Sequence, residues 1–140
     1  MIELKHSDCL TDDEKLIRTK VFIEEQGFEN EFDDLDNTAT HIILYYNNAP
    51  VGCVRFFKGD TEGEYYLGRL AVLKDYRTKH LGAILVNEVE KAVRALGANK
   101  LSISAQVRVS DFYKKLEFVP MGDTYYDEYC EHIHMEKVLT

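Results

Sequence analysis

The chain has 140 residues, enough for one hydrophobic core and too few for two full domains. Its 17 Lys and Arg against 25 Asp and Glu leave a formal charge of −8, which excludes non-specific binding to nucleic-acid phosphate or to an anionic membrane surface. A hydrophobic content of 45% with two prolines describes a folded domain, and no run of about 18 apolar residues is available to span a bilayer.

In chain order, Ile2–Lys5 alternates polar and apolar and reads as a first strand, with no apolar leader segment ahead of it. Thr11 is an N-cap with Glu14 three residues on, a capping-box pattern. Leu16, Ile17, Lys20, Val21 and Ile23 continue that helix, which Gly27 stops. Seven acids then fall between Glu24 and Asp36 (Glu24, Glu25, Glu29, Glu31, Asp33, Asp34, Asp36) without a Lys or Arg, so the rest of the chain is near neutral. Phe28, Phe32 and Leu35 are the expected apolar anchors of this acidic loop.

His41–Tyr46 and Val51–Lys58 read as a hairpin around Asn47-Asn48-Ala49-Pro50, and Glu64–Leu73 as a long third run. The period then changes: Leu81, Ile84, Leu85, Val89, Ala92 and Leu96 mark a helix closed by Gly97. A strand over Leu101–Ser104, a short helix over Val107–Leu116 and strands at Phe118–Met121 and Tyr129–Val138 complete the order β-α-β-β-β-α-β-α-β-β. That is a mixed α/β (α+β) chain forming a single domain over residues 1–140. Cys9, Cys53 and Cys130 are odd in number and form no CxxC, so a reducing, cytoplasmic setting is expected.

The most informative point is the junction between the long strand and the long helix. Leu70-Ala71-Val72-Leu73 runs into Lys74-Asp75-Tyr76-Arg77-Thr78-Lys79-His80-Leu81-Gly82. A polar, basic turn opening a helix offers unpaired backbone N–H groups, a positive dipole end and the cations Arg77 and Lys79, an arrangement suited to a pyrophosphate. An ordinary turn with solvated charges is the alternative. The stretch Arg77–Gly82 resembles the Arg/Gln-x-x-Gly-x-Gly/Ala signature of GNAT N-acetyltransferases, with His80 in place of the first glycine. Asp111–Phe118 resembles the family's Phe-Tyr-x-Lys-Leu-Gly-Phe segment, with Glu117 in place of glycine. Arg18 through Gln26, followed by Asp33, Asp36, Ala39 and His41, is similar to the ElaA-like subgroup.

This resemblance implies a GNAT-type, mostly antiparallel twisted sheet flanked by helices, with acetyl-CoA as co-substrate. It implies the pyrophosphate over Arg77, Thr78, Lys79, His80, Leu81 and Gly82, and the pantetheine arm paired to the backbone of Leu70, Ala71 and Val72. It also implies Gln106 on the pantetheine amides and Tyr113 as the acid that protonates the leaving thiolate; a half-buried packing tyrosine is the alternative for Tyr113. The acceptor is expected to be a primary amine of a small molecule or peptide. A homodimer is the assembly the resemblance suggests.

An amine with pKa ~10.4 is neutral in about one molecule in 2,500 at pH 7, so a proton acceptor is wanted. No carboxylate stands on the middle of the long strand, since Glu64 lies at its far end. Glu25, Asp36 and His41 remain as candidates acting through water. Arg55 and Arg69 either clamp a substrate carboxylate or staple the acidic loop through Glu25 or Asp36. His132 and His134 share a strand face, but no ligand spacing supports a metal, and none is expected. A CoA-binding sensor without catalysis is the alternative function, motivated by His80, Glu117 and the missing carboxylate.

Overall fold

Thr11 opens the first helix as its position predicts, its hydroxyl accepting the Glu14 N–H at 3.2 Å. The reciprocal half of the capping box is not made. The Glu14 carboxylate turns inward instead, to Arg18 and His41. The structure, a computed structural model, describes residues 1–140. After β1 (Ile2–Ser7), α1 spans only Asp12–Arg18, and residues Thr19–Glu25 continue as a π-helix. The Gln26 N–H reaches back five residues to the Val21 carbonyl at 3.1 Å. This wider turn brings Val21 and Phe22, neighbours in sequence, both into the core while Leu16 stays half exposed. So short a stretch carries no π pattern distinct enough to separate it from the α-helix before it, and the two read as one helix.

Of the three apolar residues expected to anchor the acidic loop, only Phe28 is buried. Phe32 and Leu35, expected as anchors, are about two-fifths exposed, and a short 3₁₀ turn at Asp34–Asn37 and ion pairs hold the segment instead. The hairpin of β2 (Thr40–Tyr46) and β3 (Ala49–Lys58) turns on Asn47 and Asn48 alone, both at positive φ (49° and 71°). That is the two-residue turn Asn tolerates best after Gly. Pro50 therefore lies inside β3, where the register shifts between Leu44 and Tyr45.

The remaining elements are β4 (Glu64–Val72), a 3₁₀ turn at Lys74–Lys79, α2 (Leu81–Ala95), β5 (Lys100–Gln106), α3 (Ser110–Lys115), β6 (Val119–Asp127) and β7 (Cys130–Val138). β6 is longer than Phe118–Met121. Its nine residues are exposed, so no buried alternation marked it in the sequence. The seven strands form one sheet in the order β1-β2-β3-β4-β5-β7-β6, flanked by helices.

The chain divides into two compact units. One comprises Met1–Phe57 and Leu67–Lys91, the other Lys58–Tyr66 and Ala92–Thr140. In the first, β1 pairs antiparallel with β2 and β2 with β3. β2 is buried over His41–Leu44 on both faces, as an interior strand must be. Gly52 admits the helix: a Cβ there would lie 3.0 Å from Leu85 of α2 and 3.4 Å from the Ala71 carbonyl. In the second unit β7 pairs antiparallel with both β5 and β6. Leu101, Ile103, Ala105 and Met135 are buried there, and Tyr113 and Phe118 meet edge to face at 5.8 Å.

Candidate active site

β4 does not run as a regular strand into its turn. Arg69 sits at φ +52°, a left-handed conformation that costs a non-glycine residue roughly 1–3 kcal/mol and breaks the alternation directly before Leu70, Ala71 and Val72. What holds it there is its own side chain. The Arg69 guanidinium lies 3.0 Å from the Glu31 carboxylate and 3.3 Å from that of Asp33, and also donates to the Glu31 carbonyl. The acidic loop is thereby anchored to the irregularity in β4.

Beyond Val72, the turn Lys74–Lys79 ends at His80, which is left-handed at φ +60°, and α2 begins at Leu81. The residue standing where the signature has glycine thus keeps a glycine-type backbone. Thr78 and Lys79 end the 3₁₀ turn, and the N–H groups of Leu81 and Gly82 belong to the helix end, where intrahelical acceptors are missing. Lys79 lies with its ammonium 5.0 Å over the Tyr46 ring. Arg77 is not directed at an open anion site. It forks onto Glu25 at 2.6 and 2.8 Å and donates through Nε to the Val72 carbonyl at 2.9 Å. Glu25, expected among the acceptor-site candidates, is therefore the partner of a signature arginine.

The other acceptor-site candidates are brought together, and they face one another. Arg18, wholly buried, donates to Glu14 (2.7 Å), Glu31 (2.9 Å) and Asp36 (2.8 and 3.1 Å). Arg55, also buried, donates to Asp33 (2.6 and 3.0 Å) and Asp36 (2.8 Å). Burial acts to raise the Asp36 carboxyl, but Arg18 and Arg55 outweigh it and hold the group down to about 2. Asp33 is lowered in the same sense, chiefly by its hydrogen bonds from Arg55.

His41 completes the cluster. Its Nε2 lies 3.0 Å from the Asp36 carbonyl, and its Nδ1 is 3.0 and 2.8 Å from the two Glu14 carboxylate oxygens. A carbonyl and a carboxylate only accept, so both ring nitrogens carry hydrogen and His41 is an imidazolium. Burial works against that charge, and Glu14 and the Asp36 carbonyl overcome it, raising the histidine above its ordinary value. Four carboxylates (Glu14, Glu31, Asp33, Asp36) and three guanidiniums (Arg18, Arg55, Arg69) are balanced by this fourth cation.

These positions correct the expectation that Asp36 and His41 could relay a proton. Asp36 is clamped as an anion, and His41 already holds its proton. Arg55 and Arg69 pair with the acidic loop, the second of the two arrangements expected of them, through Glu31 and Asp33 as well as Asp36. The Glu14–Arg18 spacing of four on a helix was the signal available for this network.

In the second unit, Tyr113 on α3 is buried, edge-on to Phe112 at 5.0 Å, and burial alone pushes its phenol well above the ordinary range. It keeps its proton until a strong base is presented. Gln106 ends β5 directly opposite His132 and makes no side-chain cap bond to the turn that follows. Glu117 is left-handed at φ +75°, again where the family pattern has glycine.

A family profile for the acetyltransferase (GNAT) domain matches residues 10–139. The N-acetyltransferase YjcF of Bacillus subtilis strain 168, itself uncharacterized, is 34% identical over 86% of this chain and 87% of its own length. The crystal structure of Escherichia coli ElaA superposes with a TM-score of 0.86 at 24% identity, covering 98% of this chain and 99% of that one. An acyl-CoA N-acyltransferase structure from Pseudomonas aeruginosa superposes at 0.82 with 24% identity and 98% coverage of both chains. The signature turn, the irregular strand before it and these likenesses agree: the chain belongs to the GNAT acetyltransferases, a family that uses acyl-CoA donors.

Proposed function

We propose that this protein is an acetyl-CoA-dependent N-acetyltransferase that moves the acetyl group directly to a primary amine of a small molecule or peptide. The observation that carries the reading is the backbone at His80 and Glu117. Both family glycines are replaced, yet both positions keep the left-handed conformation that the glycines serve. At Glu117 that conformation also closes α3, the Phe118 N–H reaching the Tyr113 carbonyl at 3.0 Å, so the weight of the reading falls on His80, at the opening of α2. In this reading the N–H groups of Thr78 to Gly82 take the pyrophosphate, Leu70–Val72 pairs with the pantetheine arm, Gln106 bonds its amides and Tyr113 protonates the thiolate. The residues fit such a co-substrate: helix-end N–H groups and the Lys79 cation favour an anion, and Arg77 joins them on leaving Glu25.

The whole chain acts as one catalytic domain, in a reducing cytoplasm consistent with its three unpaired cysteines, as a monomer or homodimer. Calorimetry with acetyl-CoA, followed by thiol release measured across a panel of primary amines, tests the function. Saturable binding with amine-dependent release is expected. Binding without release on any amine would instead make it a CoA sensor.

A further inference from the structure

We propose that His134, oriented by Glu136, is the proton acceptor for the attacking amine, resting on the N-acetyl transfer reading above. The strand register defines the face on which it stands. Across β5 and β7, Ser102 is opposite Glu136, Ser104 opposite His134 and Gln106 opposite His132. Directly opposed residues share a face, so these six side chains form one polar surface, while Ile103, Ala105 and Met135 turn to the core. The residue expected to hold the pantetheine arm, Gln106, is on the polar surface, one step along its strand face from Ser104. His134 therefore shares its strand face with the residue to which the proposed function gives the pantetheine amides.

Three observations select His134 over His41 and His132. His41 is already doubly protonated by its acceptors. His132 is almost wholly buried, with Nδ1 2.9 Å from the Cys130 carbonyl. His134 is about a quarter exposed, and its Nε2 lies 2.9 Å from a Glu136 carboxylate oxygen. A carboxylate only accepts, so Nε2 carries the hydrogen and the lone pair of the neutral ring is on Nδ1.

Glu136 is held ionised, first by His134 itself and then by Lys100 at 3.4 Å. Lys100 in turn sits 3.5 Å from Glu64, whose carboxylate accepts from Ser102. Tyr66 of β4 lies against the ring at 6.0 Å between centroids, and Met121 of β6 is opposite in the register. Tyr125 of β6 bonds Ser104 and stacks on His132. The charged groups on this face are thus two carboxylates and one ammonium before His134 is counted. A carboxylate-oriented imidazole of this kind takes the place of the strand carboxylate that β4 lacks.

In the step itself, Nδ1 takes a proton from the acceptor nitrogen, and that nitrogen's lone pair forms the C–N bond to the thioester carbonyl. The C–S bond then breaks, Tyr113 gives its proton to the thiolate in the proposed scheme, and the second proton that the nitrogen sheds as the amide forms returns through water to the Tyr113 oxygen. The net reaction is ammonium plus thioester to amide, free thiol and one proton, which His134 returns to solvent.

The test uses the full chain with acetyl-CoA and a simple alkylamine. His134→Gln should lower kcat/KM by about 100-fold or more while CoA affinity by calorimetry stays within about two-fold. The loss should shrink with an acceptor already neutral at the assay pH, such as hydroxylamine, and free imidazole should restore rate to His134→Ala. Glu136→Gln, which removes the orienting charge, should give a smaller loss and serves as the second variant if the His134 variants fold poorly. A His134→Gln enzyme within about three-fold of wild type overturns the proposal. So does an equal loss on neutral and protonated acceptors, the mark of a structural role. No thiol release by the wild-type protein on any amine overturns the transferase reading itself and the base role with it.

Discussion

Arg18 shows how one side chain decides whether the acidic loop is a loop at all. With three buried carboxylates around it and no access to water, its removal strands negative charge in the interior. Arg18→Ala should destabilise the protein by about 3–5 kcal/mol. Arg18→Lys should lose less, since it keeps the charge but not the forked donors. Urea unfolding midpoints of the two variants check this, and near-equal midpoints for Arg18→Ala and wild type would mean the cluster is not what holds the segment. Much of the network was legible in the sequence only as residue types. Glu14 and Arg18 are four apart on a helix, but Glu14 also satisfied a capping pattern, and local sequence cannot tell which demand wins. Glu31 and Asp33 lie in a segment without periodicity, so their partners on β3 and β4 carry no local signal.

At the scale of elements, the two glycine replacements make a paired prediction. His80 at φ +60° ends the turn into α2, and Glu117 at φ +75° follows α3. Replacing either by glycine removes a steric cost of about 1 kcal/mol, partly offset by the greater freedom glycine has when unfolded. His80→Gly and Glu117→Gly should each raise Tm by about 1–4 °C. Only His80→Gly should also tighten CoA binding, because it alone clears a side chain from the proposed anion site. A fall in Tm for either would show that the side chain contributes more than its backbone strain costs. The element order was readable because α2 and the hairpin carry strong periodic and turn signals. The π turn after α1, the length of β6 and the kink at Arg69 were not. Each arises where tertiary contact or exposure overrides local pattern, and the Arg69 kink depends on carboxylates 36 and 38 residues away in sequence.

For the whole molecule, a charge of −8 concentrated between Glu24 and Asp36 would, if left in solvent, act as a field that gathers cations. The fold spends much of that charge internally. Glu25, Glu31, Asp33 and Asp36 all face arginines, so their neutralisation would disturb structure before it altered substrate attraction. The consequence is a stability profile bounded on both sides. The Asp36 carboxyl is lowered from 3.8 to about 2, so its contribution, about 2 kcal/mol, is full above pH ~4 and disappears as pH falls through 2. His41 is raised above its ordinary 6.5, so its contribution is full below that value and is lost as pH rises through the folded pKa. Burial raises the Glu31 carboxyl above its ordinary 4.5, which lowers stability as pH rises through that region. The maximum should therefore lie at pH ~4, with a further decline above about 6.5 as the imidazolium is lost. His41→Gln preserves a hydrogen-bonding side chain but cannot carry the charge. It should be less stable than wild type at pH 6, with the alkaline decline flattened. Urea midpoints from pH 3 to 9 for both proteins read this directly. An unchanged alkaline slope in His41→Gln would assign the decline to another group and return His41 to the neutral form.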